Sequence, residues 1–326
     1  MVVLRIMALG AALALLASCN QRFWVCASTD PASTGRLPAR LSETGLFAPD
    51  GGLADGVRPY RPAHALWSDG ADKRRWVRLP AGAVIDTSDP DDWRLPVGTR
   101  LWKEFSLDGV RIETRVLDRW GPGDGDWTAL AYLWSADRSD AVAAPFGAQD
   151  ALGTTHDVPA SGECVACHGG RHSFALGFSA LQLAHAADGD ELTLGELLAS
   201  GALSTPVAPV LTVPGDATEQ AALGYLHANC GHCHNQRRPA AGDAPRCFEP
   251  RNELDFWLRV DHLAAPGDTP TYASLGAVVS PGRPGDSRLI DLVSHRGLFK
   301  QMPPLATERV DDAAVATLRA WIEGMR

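Results

Sequence analysis

The sequence predicts an α+β chain of several domains: an N-terminal antiparallel β domain, followed by mainly α-helical segments. Three observations point there. Between about Leu37 and Pro159, short apolar and aromatic runs are separated by Gly, Pro and Asp, and several alternate with period two, the texture of strands joined by hairpin turns. From Ser161 onward the pattern turns helical, as in "SFALGFSALQLAHAA" and "LTLGELLASGAL". The motif Cys-x-x-Cys-His occurs twice, as "CVACH" (164–168) and "CGHCH" (230–234), once in each of two such stretches.

The elements follow in chain order. Arg5 and the apolar run "IMALGAALALLA" have the form of an export signal, too short to span a bilayer comfortably. The run ends in "LLASC", and Leu-Ala-Ser-Cys resembles the bacterial lipoprotein lipobox. That resemblance implies a signal over 1–19 and a lipid on Cys19, placing the mature chain on the periplasmic or outer-surface side of a Gram-negative envelope. Residues 20–36 are rich in small and polar residues and read as a tether. The β domain over 37–160 holds the runs "RRWVRLP", "GAVID", "TRLWKEFSL", "VRIETRVLDRW" and "WTALAYLW". "LDG" at 107–109 is placed as a turn between two of them. In the fourth run, Val110, Ile112, Thr114 and Val116 fall on one face and Arg111, Glu113 and Arg115 on the other. A sandwich or partial barrel is the expected architecture.

Seven of the ten tryptophans lie in this region: Trp67, Trp76, Trp93, Trp102, Trp120, Trp127 and Trp134. Indoles bury large areas, so they read as core rather than as a ligand platform. A first helical segment spans 161–210. "PVAPVLTVPGD" then breaks the pattern, and a second helical unit covers 217–326, ending in a helix that Asp311 caps, with Val315, Leu318, Ile322 and Met325 on its apolar face.

Bulk properties narrow the function classes. The chain has 326 residues, long enough for two ordinary cores, and its net charge of −9 argues against nucleic-acid binding. No nucleotide-binding glycine loop and no hydrolytic triad is recognisable. Of seven cysteines, Cys19 belongs to the signal and four to the motifs; Cys26 and Cys247 remain, and an exported compartment permits them to pair.

The motif has a mechanical meaning. Two thiols three positions apart lie on one side of a helical turn and can add to the two vinyl groups of one haem, while the adjacent histidine points at the iron. Cys164, Cys167 and His168 would hold one haem c, and Cys230, Cys233 and His234 a second. The competing readings are a redox dithiol or a zinc site made from all four cysteines, but neither requires a histidine directly after each pair. The first site poses a question of its sixth ligand. Met1 and Met7 lie in the signal, and Met325 is on the terminal helix, so no methionine remains for it besides Met302. His156 and His185 are the candidates, His172 being only four residues past His168; an open position is the alternative.

Residues 217–326 resemble class I cytochrome c, with a helix before the motif, a Met-Pro loop ("KQMPPL") and a C-terminal helix. That resemblance implies Met302 as the sixth ligand of the second haem, and Gly224 or Tyr225 at a crossing with Leu318 or Trp321. The whole chain resembles a family of largely uncharacterised bacterial dihaem c-type cytochromes. The residues that carry the likeness are "LWSDGADKRRW" (66–76), "PVGTRLWKEF" (96–105), "THDVP" (155–159), "CVACHGGR" (164–171), "LGFSALQL" (176–183) and "GYLHANCGHCHN" (224–235). The expected architecture is therefore a β domain followed by mainly α-helical c-type haem domains, the last one class I cytochrome c-like. The expected function is electron relay between redox proteins of the envelope, with a peroxidase-like enzyme, its first haem open or weakly ligated, as the alternative.

Overall fold

A computed structural model describes residues 36–236, 253–297, 300–304 and 307–326. The signal, all of the tether but Arg36, the lipobox Cys19 and the Cys26–Cys247 pair lie outside the described residues.

One antiparallel sheet organises the molecule. Its six strands are β1 (Val57–Pro59), β2 (Asp72–Arg78), β3 (Arg100–Leu107), β4 (Val110–Arg119), β5 (Trp127–Trp134) and β6 (Ala141–Ala143). They pair in sequence order, each with the next, as a meander. The 107–109 turn falls where expected: Asp108 and Gly109 take φ of 49° and 75°, which suits the right-handed twist of the flanking strands. The expected sandwich or partial barrel does not form. Chain without regular structure takes the place of a second sheet, so one sheet is covered on both faces.

On one face Trp76, Trp102, Val116, Leu130, Tyr132 and Trp134 pack with Val57 of β1 under Leu37, Leu41 and Leu46 from the segment that precedes β1. The Trp102 indole N–H donates to the Thr44 hydroxyl at 2.9 Å, which satisfies the one polar atom this fully buried ring carries. On the other face Val77, Leu101 and Trp127 pack with Ala175, Phe178, Ala180 and Leu183, residues that follow the first motif. Five of the seven tryptophans, Trp76, Trp93, Trp102, Trp127 and Trp134, are buried, as a core role requires.

The expectation of mainly α-helical haem domains beyond the sheet, the last one class I cytochrome c-like, is overturned. Seven short α-helices are described: α1 (Cys164–His168), α2 (Ala180–Leu183), α3 (Leu194–Ala199), α4 (Ala217–Asn229), α5 (Pro270–Ser274), α6 (Arg288–Val293) and α7 (Asp312–Gly324). Only α4 and α7 reach 13 residues. The reason is visible in the sequence between them: Gly and Pro recur too closely for helices to propagate, and the apolar residues of 175–197 are spent on the sheet rather than on a helical core.

The two long helices are well specified. Asp216 accepts the N–H groups of Thr218 and Glu219 while Glu219 returns to the Asp216 N–H, a complete capping box for α4. Asp311 accepts the Ala314 N–H at 3.0 Å and starts α7. The helices pack together through a core that contains Leu223 and Leu226 from α4 and Leu318, Trp321 and Ile322 from α7. Gly224 does not sit at that contact. It faces the His64 ring, and a Cβ there would stand 2.2 Å from His64 Nδ1. Among the described residues no helix is long and apolar enough to cross a membrane.

Candidate functional site

The first motif occupies a single helical turn. A 3-10 turn over Ser161–Glu163 leads into α1, and the Glu163 carboxylate accepts the Ala160 N–H at 2.8 Å, fixing the entry. Cys164 and Cys167 are three positions apart on α1, and His168 ends it. The His168 Nδ1–H donates to the Phe174 carbonyl at 2.6 Å, and its ring tilts against Phe174 with centroids 5.0 Å apart. That bond sets the tautomer and leaves Nε2 with its lone pair. Burial holds the imidazole well below its usual range, at about 3, so the ring stays neutral.

The second motif follows α4 directly. Cys233 N–H and His234 N–H both donate to the Cys230 carbonyl, at 3.1 and 2.8 Å, continuing the helical turn through the motif. The His234 ring lies 5.6 Å from Phe256, and the His234 carbonyl accepts the Phe256 N–H at 2.9 Å. The four cysteines are free, and burial pushes the Cys164 and Cys230 thiols up to about 12. A redox dithiol needs the opposite shift. Among the described residues no three His, Cys, Asp or Glu side chains are grouped to hold a metal ion, so the four thiols do not form a zinc cage.

The two motifs touch. Cys233 Sγ lies 3.7 Å from the carbonyl oxygen of Ala166, inside the first motif. Sequence reasoning had no access to this contact across 67 positions.

A buried charge cluster ties the segments together. Asp92, on the loop before β3, accepts the His172 N–H at 3.1 Å and the Ser173 N–H at 2.8 Å. Arg171 pairs with Asp92 at 3.5 Å, donates to the Asp91 carbonyl at 3.0 Å, and lies over the Trp257 ring at 3.9 Å. Asp91 accepts the Val260 N–H at 2.9 Å. One pair of aspartates thus holds the chain just past His168 and the segment that follows the second motif. A second tie uses the 64–70 loop. Asn229, at the end of α4, accepts the Trp67 N–H at 2.7 Å, and Asp69 accepts the N–H groups of Glu308 and Arg309, both at 2.9 Å.

The predicted sixth-ligand residues fall in different places. Met302 is half-buried against the same core that Cys230 packs on. His156 is buried, and its Nε2 is engaged by Glu113 at 2.7 Å. His185 has Nε2 at 2.6 Å from the Arg61 carbonyl and Nδ1 at 2.8 Å from the Ala186 carbonyl. Both rings therefore already have partners. His172 bonds Asp124 through Nδ1. By contrast, the His64 imidazole makes no hydrogen bond among the described residues, although its loop is stapled to α4.

Three features escaped the sequence reading. They are His64, the Asp91–Asp92–Arg171 cluster, and a row of cations, Arg75, Lys103 and Arg115, on one face of the sheet. Only the last left a signal, in the alternation of Lys73 and Arg75 within "DKRRW". No family model, no curated protein and no solved structure matches this chain.

Proposed function

We propose that the chain is an exported dihaem c-type cytochrome that relays electrons between redox protein partners in the cell envelope. One observation carries the reading: in the first motif, two cysteines sit on one helical turn beside a histidine whose Nδ1–H is tied to a backbone carbonyl and whose Nε2 is left for a metal. A zinc or dithiol site gives no reason for that arrangement to follow a Cys-x-x-Cys pair.

Cys164 and Cys167 would carry the first haem and Cys230 and Cys233 the second, with His168 and His234 on the irons and Met302 opposite His234. When bound, each haem supplies a reversible one-electron couple. What the chain contributes is orientation and exclusion of water. Phe174 and its carbonyl fix the His168 ring, and Phe256 lies beside that of His234. Arg171, just past the first motif, lies over the Trp257 ring at 3.9 Å and so ties the two segments together. The contact between Cys233 and Ala166 supports exchange within the pair rather than two separate carriers. Cys19 would hold the chain to a membrane through lipid.

A second reading has one observation in its favour. His156 and His185 are committed to Glu113 and to backbone carbonyls, so neither named candidate is presented to the first haem. An open first site would suit a peroxidase-like enzyme. Ferric-state electron paramagnetic resonance of the purified holoprotein, with a haem-to-protein ratio, separates the cases. Two low-spin signals at two haems per chain support relay. One persistent high-spin signal makes peroxide turnover the leading activity. A chain that matures without haem overturns both.

A further inference from the structure

The His168 ring is oriented by a carbonyl six residues further along the chain, that of Phe174. The stretch between them has little stiffness of its own. Gly169 and Gly170 follow His168 directly, and glycine leaves the backbone its widest choice of conformation. The Gly169 N–H donates to the Val165 carbonyl at 2.9 Å, which ends the helical turn. The next fixed points come from elsewhere in the chain. The His172 and Ser173 N–H groups donate to the two carboxylate oxygens of Asp92, at 3.1 and 2.8 Å, across 80 and 81 positions of sequence. Phe174 follows at once, with its carbonyl on the His168 Nδ1–H at 2.6 Å and its ring stacked on Trp127 of β5 at 5.9 Å.

Asp92 is built as a reference point. Its side chain is fully buried. The Asp92 N–H donates to the Asp89 carbonyl at 3.3 Å, and the Asp91 N–H to the Asp89 carboxylate at 3.0 Å, so the turn that carries it is closed from within. Asp86 and Arg94 exchange both backbone hydrogen bonds across the base of that turn, at 3.0 and 2.9 Å. On the other side, Trp93 is fully buried and meets Phe178 edge-on at 6.0 Å. Two successive N–H groups received by separate oxygens of one carboxylate are fixed in direction as well as in place, and the charge strengthens both bonds. Burial removes the water that would otherwise replace that acceptor.

We propose that Asp92 is a positioning residue for the first haem site: through the His172 and Ser173 N–H groups it holds the Phe174 carbonyl on His168 Nδ1, and so sets the plane of the imidazole and its strength as an electron donor. This assignment rests on the dihaem reading and deepens it at the haem bound by Cys164 and Cys167. An imidazole that donates its Nδ1–H to an acceptor is a more basic ligand through Nε2. A more basic ligand favours the oxidised iron, so loosening the Phe174 carbonyl raises the potential of that haem. The loosened ring also turns, and the ferric resonance signal of the same haem follows it.

The test is a redox titration of holoprotein carrying D92A, D92N or T44V, with haem content and ferric electron paramagnetic resonance recorded for each. D92A removes both acceptors, whereas D92N keeps one oxygen for the Ser173 N–H. T44V removes the acceptor of the Trp102 indole on the opposite face of the sheet, a loss of stability that leaves residues 171–174 alone. D92A should raise the potential of one haem, the one that Met302→Ala leaves unchanged, and shift its ferric signal. D92N should move both readings in the same direction by less, and T44V should move neither. If D92A fails to fold, D92N against T44V carries the test. Wild-type potentials and signals in the folded Asp92 variants would overturn the proposal. So would equal shifts in D92A and D92N, which would mark loss of the charge alone. An equal shift in T44V, marking a general loosening, or a shift confined to the other haem would overturn it too. Wild-type protein without haem would instead overturn the dihaem reading, and the proposal with it, which the haem ratio shows before any variant is made.

Discussion

Replacing Asp92 by Ala should be among the most damaging single changes available in this chain. The carboxylate is fully buried and does three things at once. It accepts the His172 and Ser173 N–H groups and faces the Arg171 guanidinium, whose own side chain is 2 % exposed. Truncation leaves two buried donors unsatisfied, at about 1–3 kcal/mol each, and a buried cation without its partner, at about 3–5 kcal/mol. These losses overlap. Arg171 also keeps the Asp91 carbonyl and the face of Trp257. A net loss of about 3–5 kcal/mol is therefore expected, a large share of the stability of an ordinary domain. Urea denaturation of the holoprotein, followed by far-ultraviolet circular dichroism, measures it. The double variant Asp92→Ala/Arg171→Met should recover part of the loss, because it removes the stranded charge. Asp92→Ala within about 0.5 kcal/mol of the wild type, a surface-like effect, would refute the reasoning. So would a double variant no more stable than the single one.

Three further outcomes are expected. Gly224→Ala puts a Cβ 2.2 Å from His64 Nδ1, in a loop held by Asn229, and should cost about 1–3 kcal/mol in a thermal melt; an unchanged melting temperature would mean the loop yields freely. Burial pushes the Asp91 carboxyl up to about 6, so its contribution to stability is complete below about pH 4 and lost as pH rises through 6. The wild type should then lose on the order of 2 kcal/mol relative to Asp91→Asn between pH 4 and 7, measured by paired urea titrations, and a constant difference would count against it. If the chain carries the two haems proposed for it, Met302→Ala should lower the potential of one and leave the other alone; an unaltered redox titration would remove Met302 from the proposed ligand set.

Local features were legible in the sequence because local physics sets them. Period two marked β2, β3, β4 and β5, and "LDG" marked the turn at 107–109. Asp311 announced the start of α7, and the spacing of Leu318 and Ile322 announced its buried side. The run "GAVID" was misleading. Its Ile85 and Asp86 make isolated bridges instead of a strand, one to Leu203 in distant chain and one to Arg94 in the turn that follows. Likewise Arg115 and Glu113 alternate with Ile112 and Thr114 as if facing water, yet Glu113 is fully buried. Alternation shows that two faces differ, not that one is wet.

By itself, the sequence determined the two Cys-x-x-Cys-His units and the direction of each histidine beyond its cysteines, because a helical turn places residues three and four apart side by side. It also determined where strands run and where they turn. Only the tertiary structure decided that a single covered sheet replaces a sandwich and that the first motif lies against the second. Only tertiary structure engages His156 with Glu113 and lines up Arg75, Lys103 and Arg115 on one face of the sheet. Each of those depends on register and on contacts between residues far apart in the chain. Residue period is blind to register, since a shift of one position leaves the pattern intact while exchanging every side chain between the two faces.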